Sequence, residues 1–196
     1  MKTFLSVLNQ HQKVVAELAN HDAEIEAAGK LLVETIRRGG KILICGNGGS
    51  AADSQHLAAE FVVRYEENRS ALAAIALTTD SSILTAAAND FGYDSVFSRQ
   101  VEALGNPDDC LIAISTSGNS PSVVGAVKAA LQKGMIVIGM TGSAQSDISR
   151  SASITIKVPS TVTARIQEAH IVIGHWWCKL VEDTFMQETG SAGDNT

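Results

Sequence analysis

Five short apolar runs constrain this chain more than any other feature. Residues 41–45, 72–77, 110–114, 135–140 and 154–158 are each too short for a core helix, and almost none of their positions is polar. A strand with one wet face alternates apolar and polar residues; these runs do not, so both of their faces must be covered. Amphipathic stretches near 50–65, 81–88, 95–104 and 120–133 separate them, and a last helix is expected from about 162 to 187. Buried strands joined by helices predict a parallel sheet, here a three-layer α/β/α domain with five strands of flavodoxin-like type.

Ahead of the first run, Phe4, Leu5, Leu8, Val14, Val15 and Leu18 recur at helical spacing. Beyond a polar break at Asn20-His21-Asp22, Ile25, Ala28, Leu31, Leu32 and Ile36 continue the pattern until Gly39-Gly40 stops it. An apolar helix pair appended to a complete α/β unit needs something to cover it, and the same pair in a second copy is the simplest cover. The 196 residues are therefore expected to form one domain, with 1–38 as oligomerisation helices. The small, polar residues 188–196 are expected to be a frayed tail.

Composition narrows the function classes. With 45% apolar and only 5% aromatic residues, but 16 Gly, the core must be built from Ala, Val, Ile and Leu on closely approaching helices. A net charge of −6 argues against a nucleic-acid binder that works through a basic surface. Cys45, Cys110 and Cys178 are odd in number, far apart and without a CxxC pair, which excludes a disulfide framework or a thiolate zinc knuckle and fits a reducing, cytosolic setting. At the N-terminus the apolar stretch of residues 1–8, stopped by Asn9-Gln10-His11-Gln12-Lys13, is too short for a signal peptide, and no later run reaches the ~20 residues of a membrane span.

Ligands of open α/β sheets bind at the carboxyl ends of the strands, and two loops there stand out. Gly46-Asn47-Gly48-Gly49-Ser50 follows the first strand and opens an Ala-rich helix. Its glycines can bring backbone N–H groups close to a ligand at a helix N-terminus, or can simply make a tight turn. It has neither the G-x-G-x-x-G spacing nor a P-loop Lys-Ser/Thr, which disfavours both nucleotide motifs. The third strand is followed by Ser115-Thr116-Ser117-Gly118-Asn119-Ser120-Pro121. An N-cap needs one hydroxyl, expected from Ser120 ahead of Pro121. The surplus of hydroxyls predicts a neutral cradle for a phosphate monoester.

Acid and imidazole groups lie nearby. His56 and Glu60, four apart on the helix after the first loop, share a face, with Arg64 a further turn along. In the last helix Ile166, Ala169, Ile173 and Trp177 fall on one side, and His170 reads as a structural core histidine. Gln167 and His175 are eight residues apart there, about 80° around and ~12 Å along.

Taken together, CGNGGSAADSQHLAAE, AANDFGYDSVFSRQVEALG, ISTSGNSPSVV and ARIQEAHIVIGH resemble the phosphoheptose isomerases, the sedoheptulose 7-phosphate isomerases of the sugar isomerase (SIS) domain superfamily. The likeness runs from about residue 30 to 185. ISTSGNS marks the superfamily; the His-x3-Glu after GNGGS, with RIQE-x-H-x4-H, narrows it to the family. The resemblance implies a homotetramer with active sites at subunit interfaces. It places phosphate-binding hydroxyls at Ser115, Thr116, Ser117 and Ser120, and substrate contacts at Asn47, Gly48, Gly49, Glu60, Asn89, Asp90 and Gln167. It also implies zinc, with His56, Glu60, Gln167 and His175 as the matching ligands. One departure is Ala164, where some members of the family carry an Asp.

For aldose–ketose interconversion through an enediol, a carboxylate suits the transfer between carbons and an imidazole the transfer between oxygens. Glu60 is expected as the base at carbon and His175 as the acid/base at oxygen. The competing expectation is a non-catalytic tetrameric scaffold of the replication-initiation regulator type. Such a protein can keep the Ser loop and the RIQE segment while losing the acid and the distal histidine, both of which are present here. A sugar-phosphate-sensing regulator would add a basic DNA-binding arm, and the sequence contains none.

Overall fold

The computed structural model describes residues 3–193, with side chains through Glu188. Five parallel strands, β1 (Ile42–Gly46), β2 (Ala74–Ala76), β3 (Cys110–Ile114), β4 (Ile136–Thr141) and β5 (Ile154–Lys157), form one sheet in the order β2-β1-β3-β4-β5. That is the flavodoxin-like order, in which the chain changes direction across the sheet between β1 and β3 and leaves a crevice there. The expected α/β class and the five strands are present, each within a few residues of its expected bounds.

Alternate residues of the strands feed two cores. Ile42, Ile44, Ile112, Ile114, Ile138 and Met140 face one side, where they pack with α2 (Asp22–Arg37), α3 (Gly49–Val62) and α8 (Thr163–Gly193). Leu43, Cys45, Leu111, Ala113 and Val137 face the other, against α4 (Ser81–Phe91), α5 (Ser98–Leu104), α6 (Pro121–Gln132) and the short α7 (Asp147–Ser151). Period-2 alternation thus splits each strand between two dry layers.

The N-terminal pair is α1 (Phe4–Glu17) and α2, joined by a 3₁₀ turn at Leu18–His21, where the polar break was expected. Both helices lean on α8. Trp177 Nε1 donates to the Ile25 carbonyl at 2.9 Å, and a Cβ on Gly29 would stand 2.6 Å from Leu180 Cδ2. The predicted close approach of helices is therefore real at this contact. Beside this contact apolar surface is uncovered: Phe4 is 81% exposed and Trp176 of α8 42%, and a groove of about 340 Å³ runs between Val15 and Leu18 on one side and Val172 and Trp176 on the other.

Helix α8 departs from expectation at its end. Ile166, Ala169, Ile173 and Trp177 are all buried, as the periodicity requires. The backbone stays helical through Gly193, beyond the expected end at Gln187, because no proline interrupts a helix already nucleated by its packed length. Arg37 and Glu188 pair at 2.5 Å near the start of this extension. Residues 194–196 of the expected tail lie outside the described residues.

Candidate active site

The two loops face each other across the β1/β3 crevice and are joined by hydrogen bonds. Asn47 Nδ2 donates to Ser122 Oγ at 3.0 Å, tying the loop after β1 to the first turn of α6. Tyr93 Oη donates to Asn47 Oδ1 at 2.8 Å from the turn after α4. Both ends of the Asn47 amide are thus engaged, which fixes its orientation. Gly48 takes φ +56°, a conformation that favours glycine, as the chain enters α3. Gly49 serves a different purpose: a Cβ there would stand 2.5 Å from Gln167 Nε2, so Gln167 of α8 lies directly over the start of α3.

The serine loop is a hydroxyl cluster. Ser115, 4% exposed, receives the Gly118 amide at 3.1 Å and donates to Ser120 Oγ at 3.1 Å. Ser117 Oγ lies 3.4 Å from Ser115 Oγ and accepts from the Asn119 amide at 3.2 Å. Gly118, at φ +67°, turns the chain where any Cβ would sit 2.1 Å from Ser146 Oγ. Ser120 occupies the N-cap position of α6, but its side chain makes no cap bond. The hydroxyl expected to cap the helix is instead shared with Ser115, leaving the first N–H groups of α6 to other partners. Next to the cluster, Thr116, Ser117, Asn119, Ser143 and Ser160 help line a cavity of about 310 Å³.

Helices α3 and α8 pack side by side. His56 Nε2 is 3.1 Å from Glu60 Oε1 and 3.2 Å from His175 Nε2, and the two imidazoles meet edge to face at 4.9 Å. Tyr65 tilts against His175 at 5.5 Å. Burial, then the neighbouring His56, lowers the His175 pKa, while Glu60 opposes them. Close packing sets the helix separation: a Cβ on Gly174 would stand 2.6 Å from Leu57 Cδ2.

The structure thus brings His56, Glu60 and His175 together and leaves Gln167 over Gly49, seven residues before His56 on α3. Asn89 and Asp90 are exposed near the end of α4, where Asn89 Nδ2 donates to Asp90 Oδ1 at 2.8 Å. His170, expected to be structural, is 1% exposed, and its Nε2 lies 3.3 Å from the Thr141 carbonyl. Three side chains at the site had no role assigned from the sequence. Tyr93 and Tyr65 reach it from loops whose direction only the fold reveals. Asp53, one turn before His56, has a buried, unpartnered Oδ2, and burial raises its pKa against the pull of His56. Its place on the His56 face of the helix was the available signal.

A flavodoxin-like sheet with a hydroxyl-lined loop after β3 defines a class, the SIS domain, and that family matches residues 6–142. Within it the similarity is narrower. The chain is 56% identical over 164 residues to the phosphoheptose isomerase of Roseiflexus sp. (strain RS-1), covering 84% of this chain and 83% of that one. It is 52% identical over 176 residues to the phosphoheptose isomerase of Campylobacter jejuni subsp. jejuni serotype O:6, covering 90% and 95%. The structure of the Neisseria gonorrhoeae phosphoheptose isomerase superposes with a TM-score of 0.85 at 43% identity, over 90% of this chain and 96% of that one. That from Francisella tularensis gives 0.84 at 35%, over 93% and 100%. The chain belongs to the phosphoheptose isomerase family of SIS-domain proteins and is an isomerase. The scaffold alternative is not favoured.

Proposed function

We propose that this isomerase converts sedoheptulose 7-phosphate to D-glycero-D-manno-heptose 7-phosphate, with Glu60 and His175 as its acid/base pair. The observation that carries the assignment is the meeting of the Glu60 carboxylate and the His175 imidazole at His56, 3.1 and 3.2 Å away, on the helix that opens at the glycine loop. The phosphate binds to Ser115, Thr116, Ser117 and Ser120 and to the N-terminal amides of α6, without needing a cationic surface. The sugar then runs past Asn47, Gly48 and Gly49 toward α3 and α8, with Asn89, Asp90 and Gln167 as further contacts. Glu60 takes the proton from C1 of the ketose and returns it to C2. His175, whose lowered pKa keeps it neutral at pH 7, moves the proton between the two oxygens.

The same residues suit a zinc ion. The 3.2 Å between the two Nε2 atoms is close to the roughly 3.3 Å expected for two tetrahedral ligands each ~2 Å from one ion. Among the described residues no three His, Cys, Asp or Glu side chains form a ready-made cage, so Glu60 must turn in beside His56 and His175. Gln167, the fourth ligand of the set, must extend from Gly49. Zinc bound there would polarise the substrate carbonyl. The uncovered apolar face of α1, α2 and α8 supports a homotetramer with active sites at subunit interfaces. The three free, buried cysteines fit a cytosolic enzyme supplying heptose for surface glycans, including lipopolysaccharide.

Replacing Glu60 with Gln tests the assignment. The amide keeps the shape and cannot accept the proton, so turnover of sedoheptulose 7-phosphate is lost while the unfolding midpoint is kept. Retention of most of the activity would remove Glu60 from the chemistry.

A further inference from the structure

Helix α3 delivers His56 and Glu60, helix α8 delivers His175, and nothing in the motifs themselves fixes how far one helix is slid along the other. Past the end of α3 the chain turns back through residues 63–73, and a buried ion pair joins this turn to α8. Glu182, 0% exposed, lies seven residues after His175 and so on the same side of α8. Its carboxylate accepts the amides of Tyr65 at 3.0 Å, Glu66 at 2.9 Å and Glu67 at 3.0 Å, and lies 3.2 Å from Arg69 Nε. Arg69 in turn donates Nη2 to the Glu60 carbonyl at 2.7 Å and Nη1 to the Phe61 carbonyl at 2.8 Å.

Each contact has a direction. The carbonyls at the end of a helix lack intrahelical partners and carry the negative end of its dipole, so a guanidinium fork there both satisfies and anchors them. One of those carbonyls belongs to Glu60. The amides gripped by Glu182 include that of Tyr65, whose ring lies against His175. Burial pushes the Glu182 carboxyl up, and the three amides with Arg69 outweigh it, holding the pKa below its ordinary value. The group is therefore a carboxylate throughout the neutral range.

We propose that Arg69 and Glu182 are positioning residues: a register clamp that fixes Glu60 of α3 and Tyr65 axially against His175 of α8. Close packing of Gly174 on Leu57 sets how near the helices lie, and the clamp sets where along their length they meet. The inference rests on the assignment of Glu60 and His175 to the chemistry. The serine cluster hangs from β3, away from the clamp, so substrate binding through the phosphate does not depend on it.

The test uses two charge-conserving variants, Glu182→Asp and Arg69→Lys, in the full chain. Shortening the acid by one methylene removes its simultaneous reach to three amides, and an ammonium cannot bridge two carbonyls and a carboxylate in one plane. Asp109→Asn is the matched control. Asp109 is 2% exposed, accepts the amides of Lys41 at 2.8 Å and Asn106 at 2.7 Å, and pairs with the Lys41 ammonium where the chain enters β1 and β3. Each variant is assayed well below its own unfolding midpoint. A misplacement of about 1 Å predicts that kcat falls about ten-fold or more while KM for sedoheptulose 7-phosphate stays within about two-fold. Asp109→Asn should lower the midpoint and leave kcat unchanged.

Unchanged kcat in folded Glu182→Asp or Arg69→Lys, beside an inactive Glu60→Gln, would overturn the clamp and leave the acid/base assignment standing. An active Glu60→Gln would overturn that assignment, and the clamp's stated role with it. A kcat loss of equal size in Asp109→Asn would reduce the clamp to general stability and also overturn it. If Glu182→Asp does not fold, the milder Arg69→Lys decides.

Discussion

Acidification from pH 7 to pH 5 should destabilise this protein most through the buried His170. The ring is 1% exposed, Nε2 lies 3.3 Å from the Thr141 carbonyl, and Nδ1 is buried without a partner. The neutral tautomer that fits carries its proton on Nε2 and donates it to Thr141; a second proton would add a buried N–H with nothing to receive it. Burial lowers the pKa from 6.5 to about 4, against a smaller upward pull from the Thr141 carbonyl. Because the folded pKa is depressed, the unfolded chain takes up the proton first. The stabilisation is complete above pH 6.5 and is lost as pH falls from there toward 4. The full difference is about 3 kcal/mol, and about 2 kcal/mol of it disappears between pH 7 and pH 5.

His170→Gln isolates this contribution, since an amide can still donate to Thr141 and does not titrate. Denaturant unfolding at fixed protein concentration, compared at pH 7, 6 and 5, should show the wild type losing about 2 kcal/mol more than the variant. The fixed concentration keeps any subunit association from entering the comparison. His175 also has a lowered pKa, but it is present in both proteins and cancels. The variant should start lower at pH 7, since its packing is imperfect. Equal pH slopes for the two proteins would refute the reasoning, because the buried ring would then protonate as easily in the folded state as in the unfolded one.

Three further outcomes follow from the site and the surface. Ser117→Ala and Ser120→Ala should each raise KM about ten-fold to a hundred-fold with little change in kcat, since a hydrogen bond to a charged group contributes about 1.5–3 kcal/mol; steady-state kinetics checks this, and an unchanged KM would misplace the phosphate. Tyr93→Phe removes only the donor to Asn47 Oδ1 from an exposed ring, so kcat/KM should fall several-fold while the thermal midpoint holds. Trp176→Glu places a charge in the groove beside Val172 and Val15, and light scattering should show a smaller assembly with the fold, followed by circular dichroism, intact.

How much of this could be read beforehand differs between the fold and the site. The strands were legible because each run is apolar on both faces, and residues such as Ile112 and Leu111 had to find separate cores. Local chemistry was legible too: the hydroxyl surplus after β3 marked a cluster, and the four-residue spacing of His56 and Glu60 put them in contact. What the sequence could not supply was the phase between distant elements. A pattern in α8 gives the face on which Gln167 and His175 lie, but which part of α3 each meets depends on the packing of Gly174 against Leu57 and of Gln167 against Gly49, contacts more than a hundred residues apart in the chain. The same limit explains Ser120, whose cap position follows from Pro121 but whose hydroxyl was drawn away by Ser115, and Tyr93, whose bond to Asn47 spans 46 residues. Sequence spacing fixes chemistry within one helix or loop, whereas function here needs two helices held in one register, so residues with no catalytic signature, such as Arg69 and Glu182, bear on the geometry of those that have one.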